Sequence, residues 1–307
     1  MGPLASCKYS LYRLMSIADA PSRVPFAQLT KRWDTLLKCV FKYAKGSQMV
    51  QDFGDMVRHL VNHRISSPPE DPDLFSSFPV KPTEKHPQAV PLHEILAECA
   101  TMLDAGNDTT QSSLTNAIYH LSLCPETQKK LRLILQESLS SDVRPVASYQ
   151  QLQHIPYLRA VLDESFRCRA PVQFGLPRRT QQPTMIAGHL IAADVGISAP
   201  LSALHHNPIL FSEPGAFIPE RWVPGSGVFE HERSNLKSFV LPFSLGPRAC
   251  IGRNLAYMEL SIVVAALVLA FQWELDVDVH GDGRGLEIIE RLNANPKELW
   301  VHASPVA

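Results

Sequence analysis

The segment Phe243-Ser244-Leu245-Gly246-Pro247-Arg248-Ala249-Cys250-Ile251-Gly252 carries the densest chemistry in the 307-residue chain. It runs straight into an apolar stretch predicted to be helical from near Arg253. A cysteine at such an entrance faces amide N–H groups and the positive end of the helix dipole, and both favour its thiolate. In a loop held open by two glycines, that thiolate could ligate a metal with one face left free. Gly246 and Gly252 would let a flat, bulky group approach the backbone closely. Arg248, two residues before the cysteine, could pair with a carboxylate on that group, and Phe243 would shield the sulfur from water. An isolated cysteine is more often a buried structural one. The spacing F-x-x-G-x-R-x-C-x-G argues against that reading here.

Two further groupings stand out. Gly106, Asn107, Asp108, Thr109 and Thr110 are five consecutive poor helix formers inside an otherwise good helix. Such a composition is costly unless a small molecule must sit against the backbone. The plainer explanation is a threonine pair bonding back to helix carbonyls. Glu164 and Arg167 form an E-x-x-R pair, which at i, i+3 shares one helix face. A second copy at Glu230 and Arg233 reads as a solvated ion pair.

The elements that must position these groups can be read from apolar spacing and punctuation. Phe26 to Lys45 and Gln48 to Arg64 each predict an amphipathic helix. Seven prolines between Pro68 and Pro91 exclude regular helix there and mark a loop or linker. Pro91 and Pro125 then bracket one long helix, roughly 50 Å at 1.5 Å per residue. Helices are expected again at Glu126 to Leu139 and Pro156 to Cys168. Thr184 to Val195 and Phe271 to Val279 read as strands, and Gly281 to Gly285 as a turn. The run Leu260 to Phe271 is too short for a bilayer span and reads as a buried core helix. The balance is mainly α with small sheets.

Composition narrows the function. With 29 basic and 30 acidic side chains the net charge is −1, which gives no electrostatic case for nucleic acid. A hydrophobic fraction of 45% excludes collagen, coiled coil and global disorder and describes an ordinary globular protein of one or two domains. The six cysteines contain no C-x-x-C pair, which argues against zinc ribbons, iron–sulfur runs and thioredoxin-type sites. Irregular spacing and the absence of a secretory leader or anchor at Met1 to Ser10 point to free thiols in a reducing compartment. His205 and His206 sit in a turn-like stretch and read as packing residues rather than metal ligands.

The cysteine segment resembles the haem-binding loop of the cytochrome P450 family, with Cys250 at the axial thiolate position. Ala105 to Thr110 is similar to the family's oxygen-activating motif, Glu164 to Arg167 to its E-x-x-R helix, and Pro219-Glu220-Arg221-Trp222 to its arginine-bearing meander. The resemblance implies a P450 fold and a haem-thiolate monooxygenase using haem b, with Cys250 as iron ligand. It implies Arg248 and Arg178 (or Arg179) as propionate partners, with Phe243, Gly246 and Gly252 shaping the loop. Ala105 and Gly106 would lie against the cofactor, and Gly106 would make room for oxygen and substrate. Asp108 would relay protons from solvent, and the Thr109 hydroxyl would donate to bound dioxygen. Glu164, Arg167 and Arg221 would form a buried network that serves folding. Val172, Phe174 and Leu176 would line the substrate pocket.

Expected partners are a hydrophobic small molecule, dioxygen and NADPH–cytochrome P450 reductase, at the cytosolic face of the endoplasmic reticulum membrane. The C-terminal part, particularly Leu201 to Trp222 and Lys237 to Phe271, looks closest to filamentous-fungal members of secondary metabolism or aromatic-compound oxidation. Residues 1–47 match poorly and 48–307 correspond to the C-terminal portion of the haem-thiolate domain. The chain is therefore expected to be N-terminally truncated, lacking the anchor, early helices and several strands. The alternative is a catalytically inactive haem-binding or non-enzymatic fragment.

Overall fold

The computed structural model describes residues 45–82, 87–139, 146–229, 236–280, 286–290 and 293–306. The helix expected over Phe26 to Lys45 lies outside these residues, apart from Lys45 itself. So do the pair Glu230 and Arg233 and the turn Gly281 to Gly285. Helix α1 (Lys45–Ser66) realises the spacing read over Gln48 to Arg64. Its Val57 and Val61 bury against Ile95. Among its described residues, the proline-rich stretch after it holds a 3-10 turn, Leu74–Ser77, capped by the Asp73 carboxylate through the Ser76 amide. Arg64 donates to both oxygens of Asp73 at 2.8 Å, fastening the loop to the end of α1.

Helix α2 (Leu92–Leu123) has 32 residues, about 48 Å, and fills the span between Pro91 and Cys124 as expected. It stays helical through Gly106 to Thr110. Hydroxyl groups bond back along it, with Ser113 Oγ donating to the Thr109 carbonyl at 2.7 Å and Ser122 Oγ to Ile118 at 2.8 Å. The chain divides within this helix into two compact units, the first ending at Asn107 and the second starting at Asp108.

The second unit is built around α5 (Pro156–Cys168), which buries ten of its 13 residues. It comes after α3 (Pro125–Ser138) and the short α4 (Tyr149–Leu152), and it packs with both against α7 (Arg253–Ala270). Between α5 and α7 the described residues hold small strands, α6 (Leu201–His205), short 3-10 turns and irregular segments. By length and composition α7 is apolar enough to cross a membrane. Its Tyr257, Leu260, Val264, Ala265 and Val268 nevertheless face the main core, the role expected for a core helix.

Two polar side chains of α3 join the end of α7 to the strand that begins at Phe271. Arg132 donates to the carbonyls of Val268 and Phe271, both at 2.8 Å, satisfying acceptors that a helix C-terminus leaves open. Gln128 exchanges bonds with the Trp273 backbone, donating at 3.1 Å and accepting at 3.2 Å, as a neighbouring strand would.

The strands form four antiparallel pairs among the described residues. They are β1 (Arg178–Arg179) with β4 (Gly196–Ile197), β2 (Thr184–Ile186) with β3 (His189–Ile191), β5 (Phe271–Leu275) with β8 (Val301–Pro305), and β6 (Ile288–Glu290) with β7 (Ala294–Pro296). Ala187 and Gly188 both have positive φ, which makes the β2–β3 connection a tight hairpin with primed-turn geometry. The strand expected over Phe271 to Val279 ends early, at Leu275. Asp276 then accepts the amides of Asp278 (3.0 Å) and Val279 (3.3 Å) and starts the short helix α8 (Val277–His280). Side-chain capping overrides the alternating pattern there.

The segment Pro171 to Pro177 is pinned by Ser198 Oγ to the Phe174 carbonyl (2.8 Å) and by the Ser202 amide to Gln173 (2.9 Å). Gly175 lies between them at φ +72°, and a Cβ there would sit 2.0 Å from the Ala199 carbonyl oxygen. Gly175→Ala is therefore expected to destabilise the chain by at least about 2 kcal/mol, through backbone strain plus displacement of Ala199. A urea midpoint equal to that of the parent protein would refute this.

Candidate functional site

The cysteine loop is shaped from one end by an aromatic anchor. Phe243 is half-buried, with its ring 5.2 Å from those of both Phe166 and Tyr257. Its carbonyl accepts the Cys250 amide at 2.9 Å, closing the loop just before α7. Inside, Gly246–Arg248 makes one 3-10 turn, sealed by the Ala249 amide on Gly246 at 3.0 Å. Ser244 (φ +59°) and Gly246 (φ +74°) turn the chain back. Phe243 thus holds the loop's frame.

The loop presents its chemistry outward. Cys250 is exposed, Ile251 is 98% and Leu245 66% accessible, and Arg248 is exposed with no carboxylate partner among the described residues. Gly246 is required by its positive φ. Gly252 is not, and a Cβ on it would meet only the Cys250 sulfur, at 3.8 Å. Gly252 is the N-cap of α7, a position that glycine suits, and it also leaves space for an approaching group. Beside the loop lies a cleft of about 240 Å³, with Trp222, Phe243 and Tyr257 among its walls and Arg159, Lys237 and Arg253 as its cations.

Arg178 lies exposed on β1, with Nη1 on the Pro177 carbonyl at 3.1 Å. Its neighbour Arg179 is already engaged, 2.6 Å from Asp194. Ala105 and Gly106 are exposed on α2, and a Cβ on Gly106 would have open space around it. Phe174 (59%) and Leu176 (39%) are exposed.

Asp108 is the residue that the resemblance makes a relay of protons from solvent. It is buried, and its Oδ2 accepts the amide groups of Asn293 (3.1 Å) and Asn295 (2.9 Å). Neither asparagine carries a signal in the sequence, because they lie 185 and 187 positions away in a turn-rich stretch. Thr109, the next residue, is half-buried.

The Glu164, Arg167 and Arg221 side chains are fully buried together. Arg167 grips Glu164 through two bonds of 2.9 Å, and Arg221 approaches the same carboxylate at 3.4 Å. The Ile218 amide (3.0 Å) and the Trp222 indole (2.8 Å) also donate to it. Trp222 belongs to the meander motif, yet its hold on Glu164 is a feature that spacing alone does not announce. The remaining donors of Arg167 reach the carbonyls of His205 (3.0 Å), Pro214 (2.7 Å) and Ala216 (2.8 Å).

His205 has a packing role, with Nε2 accepting the Leu241 amide at 3.1 Å. Burial first, and then the Arg167 and His206 charges, push its pKa from 6.5 down to about 4. The unfolded chain therefore binds a proton that the folded chain refuses between those values. Stability should fall, by on the order of 3 kcal/mol from this residue, as the pH drops from about 6.5 to about 4. Buried His120, pushed down to about 3, acts in the same direction. His205→Gln, which keeps an acceptor, should flatten the slope without abolishing it. Denaturant midpoints measured at several pH values would show an unchanged slope if this is wrong.

A family model described as cytochrome P450 matches residues 16–282. The cytochrome P450 monooxygenase btcC of Neocamarosporium betae is 34% identical over 295 residues, covering 93% of this chain and 55% of the relative. The fusicoccadiene 8-ol C-16-hydroxylase of Phomopsis amygdali is 29% identical, over 85% of this chain and 48% of its own. The solved haem domain of cytochrome P450DA superposes with a TM-score of 0.77 at 20% identity, covering 98% of this chain and 61% of that one. The chain belongs to the cytochrome P450 family and has its fold. It spans about half the length of these two curated relatives.

The family implies a haem cofactor, and the loop suits one. It offers an exposed thiol, apolar neighbours at Leu245 and Ile251, open space over Gly246 and a cation at Arg248. That is the donor set for a flat, apolar macrocycle bearing carboxylates.

Proposed function

We propose that the chain carries the haem-thiolate centre of a monooxygenase that inserts one atom of dioxygen into a hydrophobic small molecule. The observation that carries this reading is the exposed Cys250, held by the Phe243 carbonyl at the entrance of α7 amid an exposed apolar surface. When bound, haem b would supply the iron at which dioxygen is reduced, and a thiolate ligand would favour cleavage of the O–O bond. Cys250 gives that thiolate. Arg248 and Arg178 pair with the cofactor's carboxylates, a choice supported by Arg179 being taken by Asp194. Gly246 and Gly252 admit the ring, and Ala105 and Gly106 leave α2 without bulk. Asp108 and Thr109 hold and pass the protons that oxygen reduction consumes.

The basic side chains Lys237 and Arg253 at the cleft favour an acidic redox partner, in keeping with NADPH–cytochrome P450 reductase as electron donor. Work at the cytosolic face of the endoplasmic reticulum belongs to the same reading. Exposed Met185 (61%) and Leu190 (70%) on the β2–β3 hairpin suit contact with a membrane surface. The fungal relatives support secondary metabolism as the setting. The test is the absorption spectrum of the purified chain, reconstituted with haem, reduced and bound to carbon monoxide. A red-shifted, thiolate-type Soret band is expected. A chain that retains no haem would overturn the proposal.

A further inference from the structure

Asp108 is a buried member of the proposed proton-handling pair, and its constraint is lopsided. The contacts from Asn293 Nδ2 and Asn295 Nδ2 both fall on Oδ2. A carboxylate oxygen has about two lone-pair sites, so two amide donors fill it. Among the described residues no donor meets Oδ1. Asn293 immediately precedes β7 and Asn295 lies within it, two positions further on.

Their backbone is fixed from other directions. The carbonyl of Ala294, between them, accepts Ser112 Oγ at 3.0 Å, and its amide donates to Pro171 at 2.6 Å. Ser112 is four residues after Asp108 and occupies the same face of α2. The clamp on Asp108 is thus set from a strand whose register is independently locked.

We infer that Asn293 and Asn295 are positioning residues that saturate Oδ2 of Asp108 and so make Oδ1 the oxygen that takes up and releases a proton. The inference rests on the proposed oxygen-activating role of Asp108. One proton is bound at Oδ1 and the same proton is released there, which returns the carboxylate to its starting form with no electron transferred. A carboxylate free to rotate would divide that task between two equivalent oxygens. The asparagine pair removes the equivalence.

The test compares Asn293→Leu and Asn295→Leu with Ser112→Ala, which cuts a neighbouring tie to the same strand but leaves Asp108 untouched. In protein labelled with ¹³C at aspartate Cγ, the Asp108 resonance is assigned by its disappearance in Asp108→Asn. It should move in both leucine variants and stay in place in Ser112→Ala. In the haem-loaded protein, the leucine variants should lose at least about tenfold in kcat with KM within about twofold, part of the range that positioned acid–base groups contribute. Asn295→Ser, which retains a donor, should recover part of that loss. The inference fails if the Asp108 resonance is unmoved, or if Ser112→Ala lowers kcat equally, because the asparagines would then only tie strand to helix. The carboxyl resonance needs no haem. Absence of a thiolate-type spectrum would therefore overturn the functional reading while the resonance still decides the clamp.

Discussion

Cys250→Ser is expected to abolish the thiolate-type Soret band of the reduced, carbon monoxide-bound protein and to reduce product formation to the level of free haem. Oxygen and sulfur differ sharply as ligands at this position, because a serine hydroxyl stays protonated near neutrality where a cysteine can ionise. The substitution should leave the fold intact. Cys250 is exposed, and Phe243 holds the loop through the Cys250 backbone amide, which serine also provides. Changes at such exposed positions lie within about 0.5 kcal/mol. Loss of the spectrum with an unchanged urea midpoint would separate ligation from folding. A spectrum identical in parent and mutant would show that Cys250 is not the ligand.

The second large effect is expected far from any chemistry. Glu164→Gln removes the single negative charge between two fully buried guanidinium groups. Breaking a buried pair by deleting one partner costs about 3–5 kcal/mol, because the remaining charge is left in a medium that cannot solvate it. Here two such charges remain. Against a typical net stability of roughly 5–15 kcal/mol, the variant should be recovered largely unfolded or insoluble. Arg167→Lys should be nearly as damaging, since one ammonium cannot reach both Glu164 and three separate carbonyls. Native-like near-ultraviolet circular dichroism and an unshifted denaturation midpoint in Glu164→Gln would contradict this account.

What could be read from the sequence divides along physical lines. The α2 boundaries were legible because proline acts locally: Pro91 and Pro125 mark the ends whatever the tertiary context. Glu164 and Arg167 were legible because a helix fixes the geometry of i, i+3 pairs. The mainly α fold, and membership of the P450 family, could be inferred from motifs whose order and spacing are directly comparable. Other features depend on contacts that close over long stretches of chain. Asn293 and Asn295 meet Asp108 only once β7 is seated against α2, and the burial of that carboxyl has no signal in the sequence. Asp276 ended the β5 pattern with a side-chain cap that alternation does not encode. The domain boundary at residue 47 and the site roles rest on resemblance, and the structure adds geometry to the latter.

The Arg167 guanidinium holds His205, Pro214 and Ala216 by their carbonyl oxygens, and Glu164 holds Ile218 by its amide. Every one of these attachments grips peptide groups, which all residue types share. At these four positions the anchorage is therefore blind to the side chain, whereas Arg221 and Trp222 are held to Glu164 by side chains of their own. Buried Phe211 remains tied to its neighbours by packing, but the exposed positions of this meander can exchange charge and size while its path stays the same. A segment secured in that way can drift in surface character, and so acquire new neighbours, without reopening the question of how the protein folds.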